Sequence, residues 1–494
     1  MFENTVIMMT TTNIKLIINH AEEYAAREII TAYLPKIKIE VTDSVPAQGD
    51  YVQSTVTETN GEFEYFAKVR IGDKISSAVY RFNDICKTHV KRCVAKSLRD
   101  ITGFTLPWEL ITGIRPSKLV REMEESGMKK GEILSRLHDF YECSSQKANL
   151  AVEVAENERE ILLSMPSGSI SLYVGIPFCP TRCLYCSFTS QSIKFSNKLT
   201  EPYMDALEKE ISYTAGLIAQ KGLSIDTVYI GGGTPTALSE KQLDRLLGSL
   251  CTKFDFGNIR EFTLEAGRPD TITDEKLSIA ANYGISRISI NPQSMNQKTL
   301  DIIGRSHSPE DIIRTFEMAK KRGFGHINTD IIAGLPEETP NDFSHTMDEI
   351  EKLNPESVTV HTMSIKHGSY LDKEYSMYTS AVSDTVNTML ECAAQRLNSL
   401  GKHPYYMYRQ KNMLGNLENV GYCNTGHECL YNIYIMEEVQ SIYALGAGAS
   451  TKIIDGNRID RIFNVKEVSE YIKRIDEMLC RKDILKSGNG DNHD

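Results

Sequence analysis

From Ser171 onward, short apolar runs rich in β-branched residues alternate with longer amphipathic stretches. The runs are Ser171–Pro177, Thr227–Gly231, Glu261–Ala266, Arg287–Pro292, His326–Ala333 and Ser357–Met363. Their near-continuous apolar character predicts strands covered on both faces. Helical periodicity marks Pro202–Ala219, Glu240–Leu250, Asp274–Ala281, Pro309–Lys321 and Pro340–Leu353 between most of them. Six strand–helix units in succession predict an α/β protein, a parallel sheet curled into an open (β/α)6 partial barrel.

The first 165 residues follow a different pattern. Lys15–His20 reads as a strand and Ala21–Tyr33 as a helix. Glu62–Arg70 alternates as a half-buried strand, and two or three helices follow from Asn83 to about Leu163. A separate N-terminal α+β domain is therefore expected over 1–165. The barrel would occupy 166–375, and a small C-terminal domain covering the substrate would occupy 376–486. The polar, glycine-containing tail 487–494 is expected to be disordered. The only tryptophan, Trp108, lies just before Arg115 and Lys118. Those two could meet an anion, but a helix start fixed by Pro116 explains the segment more simply. No chemistry follows for this domain.

With 494 residues, 41% of them hydrophobic, the chain is too long for a single core. A net charge of −11 argues against a dedicated nucleic-acid binder. The N-terminus has no basic, cleavable leader, and no apolar run approaches the roughly 20 residues that span a bilayer. A cytoplasmic protein with no membrane span is expected. Eleven cysteines, an odd number spread along the chain, do not resemble a secreted disulfide framework. Eight of them are expected to be buried thiols in a reducing compartment.

The other three carry chemistry. Cys179, Cys183 and Cys186 follow the first predicted strand with CxxxCxxC spacing. One short loop can wrap three such thiolates around a [4Fe–4S] cluster and leave one iron open. An open metal position is where a substrate or cofactor binds, as in catalytic zinc sites. Structural zinc sites more often pair two CxxC units, and no second unit exists here.

In β/α barrels the active site gathers at the C-terminal ends of the strands. The second strand runs into Gly231-Gly-Gly-Thr-Pro-Thr, the third ends near Glu265 and the fourth at Gln293. The fifth brings Asp330 and the sixth His361. A glycine loop lets bare backbone approach a ligand, and Glu265 can accept hydrogen bonds from ribose hydroxyls. Arg305 could pair with a ligand carboxylate or be an ordinary surface arginine. Cys423, His427 and Cys429 offer three metal ligands without a fourth, a weak signal.

Together the cysteine loop, Gly231–Thr236, Glu265, Gln293, Arg305 and Asp330 resemble the radical S-adenosylmethionine (SAM) superfamily. Within it, Tyr173-Val-Gly-Ile-Pro-Phe-Cys, Arg287-Ile-Ser-Ile-Asn-Pro-Gln and Asn328-Thr-Asp-Ile-Ile-Ala-Gly-Leu-Pro resemble the oxygen-independent coproporphyrinogen III oxidases. The resemblance runs from about Ser171 to Tyr471 and includes the glycine-rich Tyr443–Ser450. Thr112-Gly-Ile-Arg-Pro and Tyr405–Met413 resemble the HemZ-type coproporphyrinogen dehydrogenase subgroup.

The resemblance implies a barrel of radical SAM type, with Cys179, Cys183 and Cys186 holding the cluster and SAM on its fourth iron. It places Tyr185 against the adenine, and Gly232, Gly233 and Thr234 at the methionine end. Arg305 would bind the SAM carboxylate, Glu265 and Gln293 the ribose, and Asp330 would share the pocket. Tyr173, on the opening strand, takes a catalytic place. The implied reaction is oxidative decarboxylation of coproporphyrinogen III to protoporphyrinogen IX in haem synthesis. A one-electron donor such as flavodoxin or ferredoxin would be the partner. A porphyrinogen carries carboxylates, so Arg409 is expected to meet a propionate, with Tyr405, Tyr406, Tyr408 and Lys411 nearby. A tyrosine-rich strand packing on the barrel is the alternative.

The chain departs from the family pattern at Gly175, often histidine there, and at Phe188, a cysteine in the best-known members. Two alternatives stay open. One is a haem-binding chaperone of the same superfamily branch. Its HNxxY run would fall where this chain has Tyr431 for the histidine and Ile435 for the tyrosine. The other is a radical SAM reaction on another substrate.

Overall fold

The computed structural model describes residues 12–113, 115–186, 191–364, 380–410, 413–456 and 458–485. The predicted tail, Phe188 and Lys411 lie outside the described residues. The chain forms two compact units. One is built on the residues up to Ala155, with a segment ending at Thr388 and with Met407–Asn419. The other is built on residues from Glu156, on Met389–Tyr406 and on the chain from Val420.

The first unit holds a five-stranded sheet in the order Lys38–Val41, Asn13–Ile18, Tyr51–Thr59, Glu62–Ile71 and Lys74–Phe82. The first three strands are parallel and the last three antiparallel. Alternation in Glu62–Ile71 buries Tyr65, Ala67, Val69 and Ile71. Helices Glu23–Tyr33 and Lys87–Thr102 share one core with them. The expected C-terminal domain at 376–486 is not a separate body here. Met407–Asn419 joins the first unit because Glu418 accepts from Trp108 Nε1 at 2.7 Å and pairs with Lys147 at 2.5 Å, all buried. Such long-range pairs leave no local pattern in the sequence.

In the second unit, six parallel strands lie side by side in chain order: Ser169–Ile176, Ser224–Gly232, Glu261–Gly267, Arg287–Ile290, Ile327–Ala333 and Ser357–Thr362. Each predicted run lies on one of them. Helices Ile193–Gln220, Glu240–Lys253, Asp274–Asn282, Pro309–Lys321 and Pro340–Leu353 connect or flank them. Three of these start with full capping boxes, at Ser239/Gln242, Ser308/Asp311 and Thr339/Asp342. A cap of this kind is worth about 1 kcal/mol, so these helix starts are locally encoded. The sheet is completed by strands from beyond the six units. Ile442–Leu445 runs parallel to the first strand, and Asn419–Cys423 runs antiparallel to the sixth. The apolar strand residues and inner helix faces form one large core. It leaves the C-terminal strand ends to polar side chains.

Candidate active site

The first parallel strand ends at Ile176, and Pro177 turns the chain into the cysteine loop. Phe178–Cys179 bridges to Gln191–Ser192, tying the loop's entry to its exit. Cys179 and Cys183 are buried and Cys186 is half-buried. The Cys186 N–H donates to the Cys183 carbonyl at 3.1 Å, so the last two thiols share a tight turn. Leu184 N–H donates to Ile303 O at 3.0 Å, and the Thr181 hydroxyl to Gly304 O at 3.1 Å. The loop is thereby held to the segment that follows the fourth strand.

The glycine loop is pressed against the same turn. Gly233 N–H donates to Ile176 O at 2.8 Å and Thr234 N–H to Phe178 O at 2.7 Å. A Cβ on Gly233 would stand 2.6 Å from Phe178 O and 2.9 Å from Cys179 Sγ. No side chain fits there, so glycine is required by close approach. The Thr234 hydroxyl lies 3.5 Å from Cys179 Sγ, to which it donates.

Two carboxyls at the strand ends differ in protonation. Glu265 is pushed up to about 8, chiefly by burial and then by the charge of Asp330. Asp330 is equally enclosed, and burial would raise it. Hydrogen bonds and charge from His361, together with Asn328, hold it below its usual value instead. His361 Nε2 lies 3.6 Å from Asp330, and Asn328 donates to it at 2.8 Å. At neutral pH the site therefore presents a protonated Glu265 beside an ionised Asp330. Gln293 sits in the left-handed region, with φ of 68°. It is held there by Gln293 N–H to Asp330 O and Ile332 N–H to Gln293 O, both at 3.0 Å. That conformation costs a non-glycine residue about 1 kcal/mol and marks a position fixed by its surroundings.

Arg305 is buried, not an ordinary surface arginine. It donates to Asn291 O at 2.6 Å and to the Tyr185 hydroxyl at 3.1 Å. Its Nε has no hydrogen-bond partner among the described residues. Tyr185, between the last two cysteines, thus stands on Arg305 at the loop's inner edge. The orphaned Nε, the side-chain-free glycine cradle and three thiols carried on one short loop fit an iron–sulfur cluster with an anionic ligand beside it.

Tyr173 stacks in a group of three rings. Tyr229 and Tyr431 lie 4.8 Å apart at 23°, and Tyr173 is 6.3 Å from each. Burial raises all three phenols above their ordinary range, aided by Glu265 at Tyr173 and Tyr229 and by Tyr173 at Tyr431, so they stay protonated. Sequence reasoning missed Tyr229, although it lies one strand over from Tyr173 in the same register. It also missed Arg268. This buried guanidinium grips Asp270 at 3.0 and 3.1 Å, holds Thr181 Oγ1 at 2.8 Å and reaches 3.9 Å from Cys183 Sγ. Its signal was only its place just beyond Glu265, at the end of the third strand.

Two expectations need correction, and the weak metal signal at Cys423, His427 and Cys429 is not carried by the geometry. Arg409 does not present a free cation to a propionate. Its guanidinium is buried in the first unit and donates to the carbonyls of Ile111, Gly113 and Asn416, under the Trp108 ring. Cys423, His427 and Cys429 do not converge. Cys429 donates to Glu261, while the His427 ring packs on His326. Among the eight remaining thiols, Cys251 and Cys480 are exposed rather than buried.

The family model of the radical SAM superfamily matches residues 173–350. The oxygen-independent coproporphyrinogen-III oxidase-like protein HemZ of Bacillus subtilis is 41% identical over 386 residues, 77% of each chain. The chain belongs to the radical SAM superfamily, in the coproporphyrinogen oxidase-like group. Its cofactors are a [4Fe–4S] cluster and SAM. The heme chaperone HemW of Bacillus subtilis is a more distant relative, 30% identical over 62% of this chain and 76% of its own. In fold, the chain is similar to the coproporphyrinogen III oxidase HemN of Escherichia coli. That match has a TM-score of 0.52 at 24% identity, over 66% of this chain and 73% of that one. No helix of the described residues is long and apolar enough to cross a membrane.

Proposed function

We propose that the protein catalyses oxygen-independent oxidative decarboxylation of coproporphyrinogen III to protoporphyrinogen IX. The observation that carries this is the cysteine turn locked onto the bare Gly231–Gly233 backbone, in a chain 41% identical to a coproporphyrinogen-III oxidase-like protein. A cluster and SAM held here would supply 5′-deoxyadenosyl radical chemistry on one-electron reduction, with methionine as the leaving group.

This chain's residues divide the remaining work. Cys179, Cys183 and Cys186 hold the cluster. Gly232, Gly233 and Thr234 would offer backbone and hydroxyl groups to the methionine end of SAM, and Arg305, whose Nε lacks a partner among the described residues, would bind its carboxylate. Glu265 and Gln293 take the ribose, Tyr185 flanks the adenine, and Asp330 with His361 fixes a negative charge nearby. Tyr173, Tyr229 and Tyr431 form an aromatic wall against which pyrrole rings pack while water is excluded. The electron donor is a small one-electron carrier such as flavodoxin or ferredoxin, and the protein works in the cytoplasm.

The test is anaerobic turnover of the reconstituted protein with SAM, a strong reductant and coproporphyrinogen III. Protoporphyrinogen formed in step with 5′-deoxyadenosine is expected. SAM cleavage with the porphyrinogen returned intact would refute the substrate. The relationship to HemW favours one rival, haem carriage. Against it, the histidine and tyrosine positions of the chaperone's HNxxY run are Tyr431 and Ile435 in this chain. Tight haem binding without turnover would establish that rival.

A further inference from the structure

The end of the sheet away from the cysteine loop brings together a histidine, a cysteine and a glutamate. His403 opens the edge strand His403–Tyr408. Cys423 closes the neighbouring strand Asn419–Cys423 and pairs with Ser357, the first residue of the sixth parallel strand. Glu428 lies in the loop between Cys423 and helix Leu430–Glu437. One nitrogen, one sulfur and one oxygen of these residues all lie within 4.8 Å of one another. His403 Nε2 is 3.0 Å from Glu428 Oε1 and 3.8 Å from Cys423 Sγ. Tetrahedral zinc with thiolate, imidazole and carboxylate ligands sets such atoms about 3.3–3.7 Å apart. The observed separations bracket that spacing, so small side-chain shifts complete the geometry.

We propose that His403, Cys423 and Glu428 bind a zinc-class divalent ion. The soft thiolate and borderline imidazole, beside one hard carboxylate, select zinc over magnesium or calcium, which take oxygen alone. The His403 and Glu428 side chains are 24% and 14% exposed, leaving room for a water as fourth ligand. Cys423 is fully buried, so the ion enters from the side of the other two. The N-terminal face of such a sheet serves stability rather than catalysis. The ion clasps the edge strand His403–Tyr408 to the loop that leads into helix Leu430–Glu437. Binding releases the Cys423 thiol proton to solvent, and no redox change is involved.

The test uses the cluster-reconstituted, full-length protein. Elemental analysis should find about one zinc per chain beyond the iron. Zinc-edge X-ray absorption should show a single sulfur beside nitrogen and oxygen scatterers. Cys423→Ser should remove that sulfur while the iron content stays constant. Glu428→Gln and His403→Gln should lower zinc retention during dialysis against a chelator at least tenfold. Absence of zinc from the wild-type protein after supplementation would overturn the proposal. So would an all-sulfur zinc shell unchanged by Cys423→Ser, which would place the ion on other cysteines. Should Cys423→Ser fail to fold, the dialysis result with the other two variants decides.

Discussion

Glu265 keeps its proton at pH 7 while Asp330, in the same site, does not. The ordinary value for Glu265 is 4.5, and in the folded protein it is about 8. The folded state therefore holds this proton to higher pH than the unfolded state does. Its stabilising effect is full below about pH 4.5 and is lost as pH rises toward about 8, by a few kcal/mol at most. SAM-free wild type should lose thermal stability between about pH 5 and pH 8 more steeply than Glu265→Gln, which has no proton to lose. Parallel melting curves for the two would refute the assignment. Gln293 makes the converse case. Gln293→Gly removes the left-handed strain and should leave the melting temperature level or higher, while SAM affinity measured by calorimetry falls. Both residues were legible as polar groups at strand ends. Their charge state and backbone strain were not, because each depends on neighbours supplied by other strands.

The cysteine loop and the glycine loop act as one element. Gly233→Ala would drive a methyl group to 2.6 Å from Phe178 O, closer than van der Waals contact allows. Reconstituted Gly233→Ala should carry much less iron and cleave no SAM, with an unchanged far-ultraviolet circular dichroism spectrum. Cys183→Ser should likewise lose the cluster absorbance and SAM cleavage. Normal cleavage by that variant would remove Cys183 from the ligand set. The CxxxCxxC spacing and the GGG were readable because each is local. That Leu184 and Thr181 grip Ile303 and Gly304 was not readable, since about 120 residues separate the partners.

Across the whole molecule, chain order and spatial order part company. Glu418 comes from a segment expected to cover the substrate, yet it serves Trp108 and Lys147 in the first unit. Removing one partner of a buried ion pair costs about 3–5 kcal/mol, so Glu418→Ala should lower the melting temperature markedly. Arg409→Ala should do the same by leaving three backbone carbonyls without their donor. The Michaelis constant for porphyrinogen should not change in Arg409→Ala. An increase with stability intact would return Arg409 to the substrate.

The amino-acid sequence alone determined the six strand–helix units, the helix caps, the cysteine motif and the family. Each depends on residue type and spacing within a few turns of chain. Only the tertiary structure decided that the chain has two units rather than three domains, and that Arg409 is internal. It also decided that Arg305 and Arg268 are buried beside the cysteine loop, and that Cys423 faces His403 rather than His427. These depend on which distant segments share a desolvated space. Burial changes what a charged group can do, and local pattern carries no record of it.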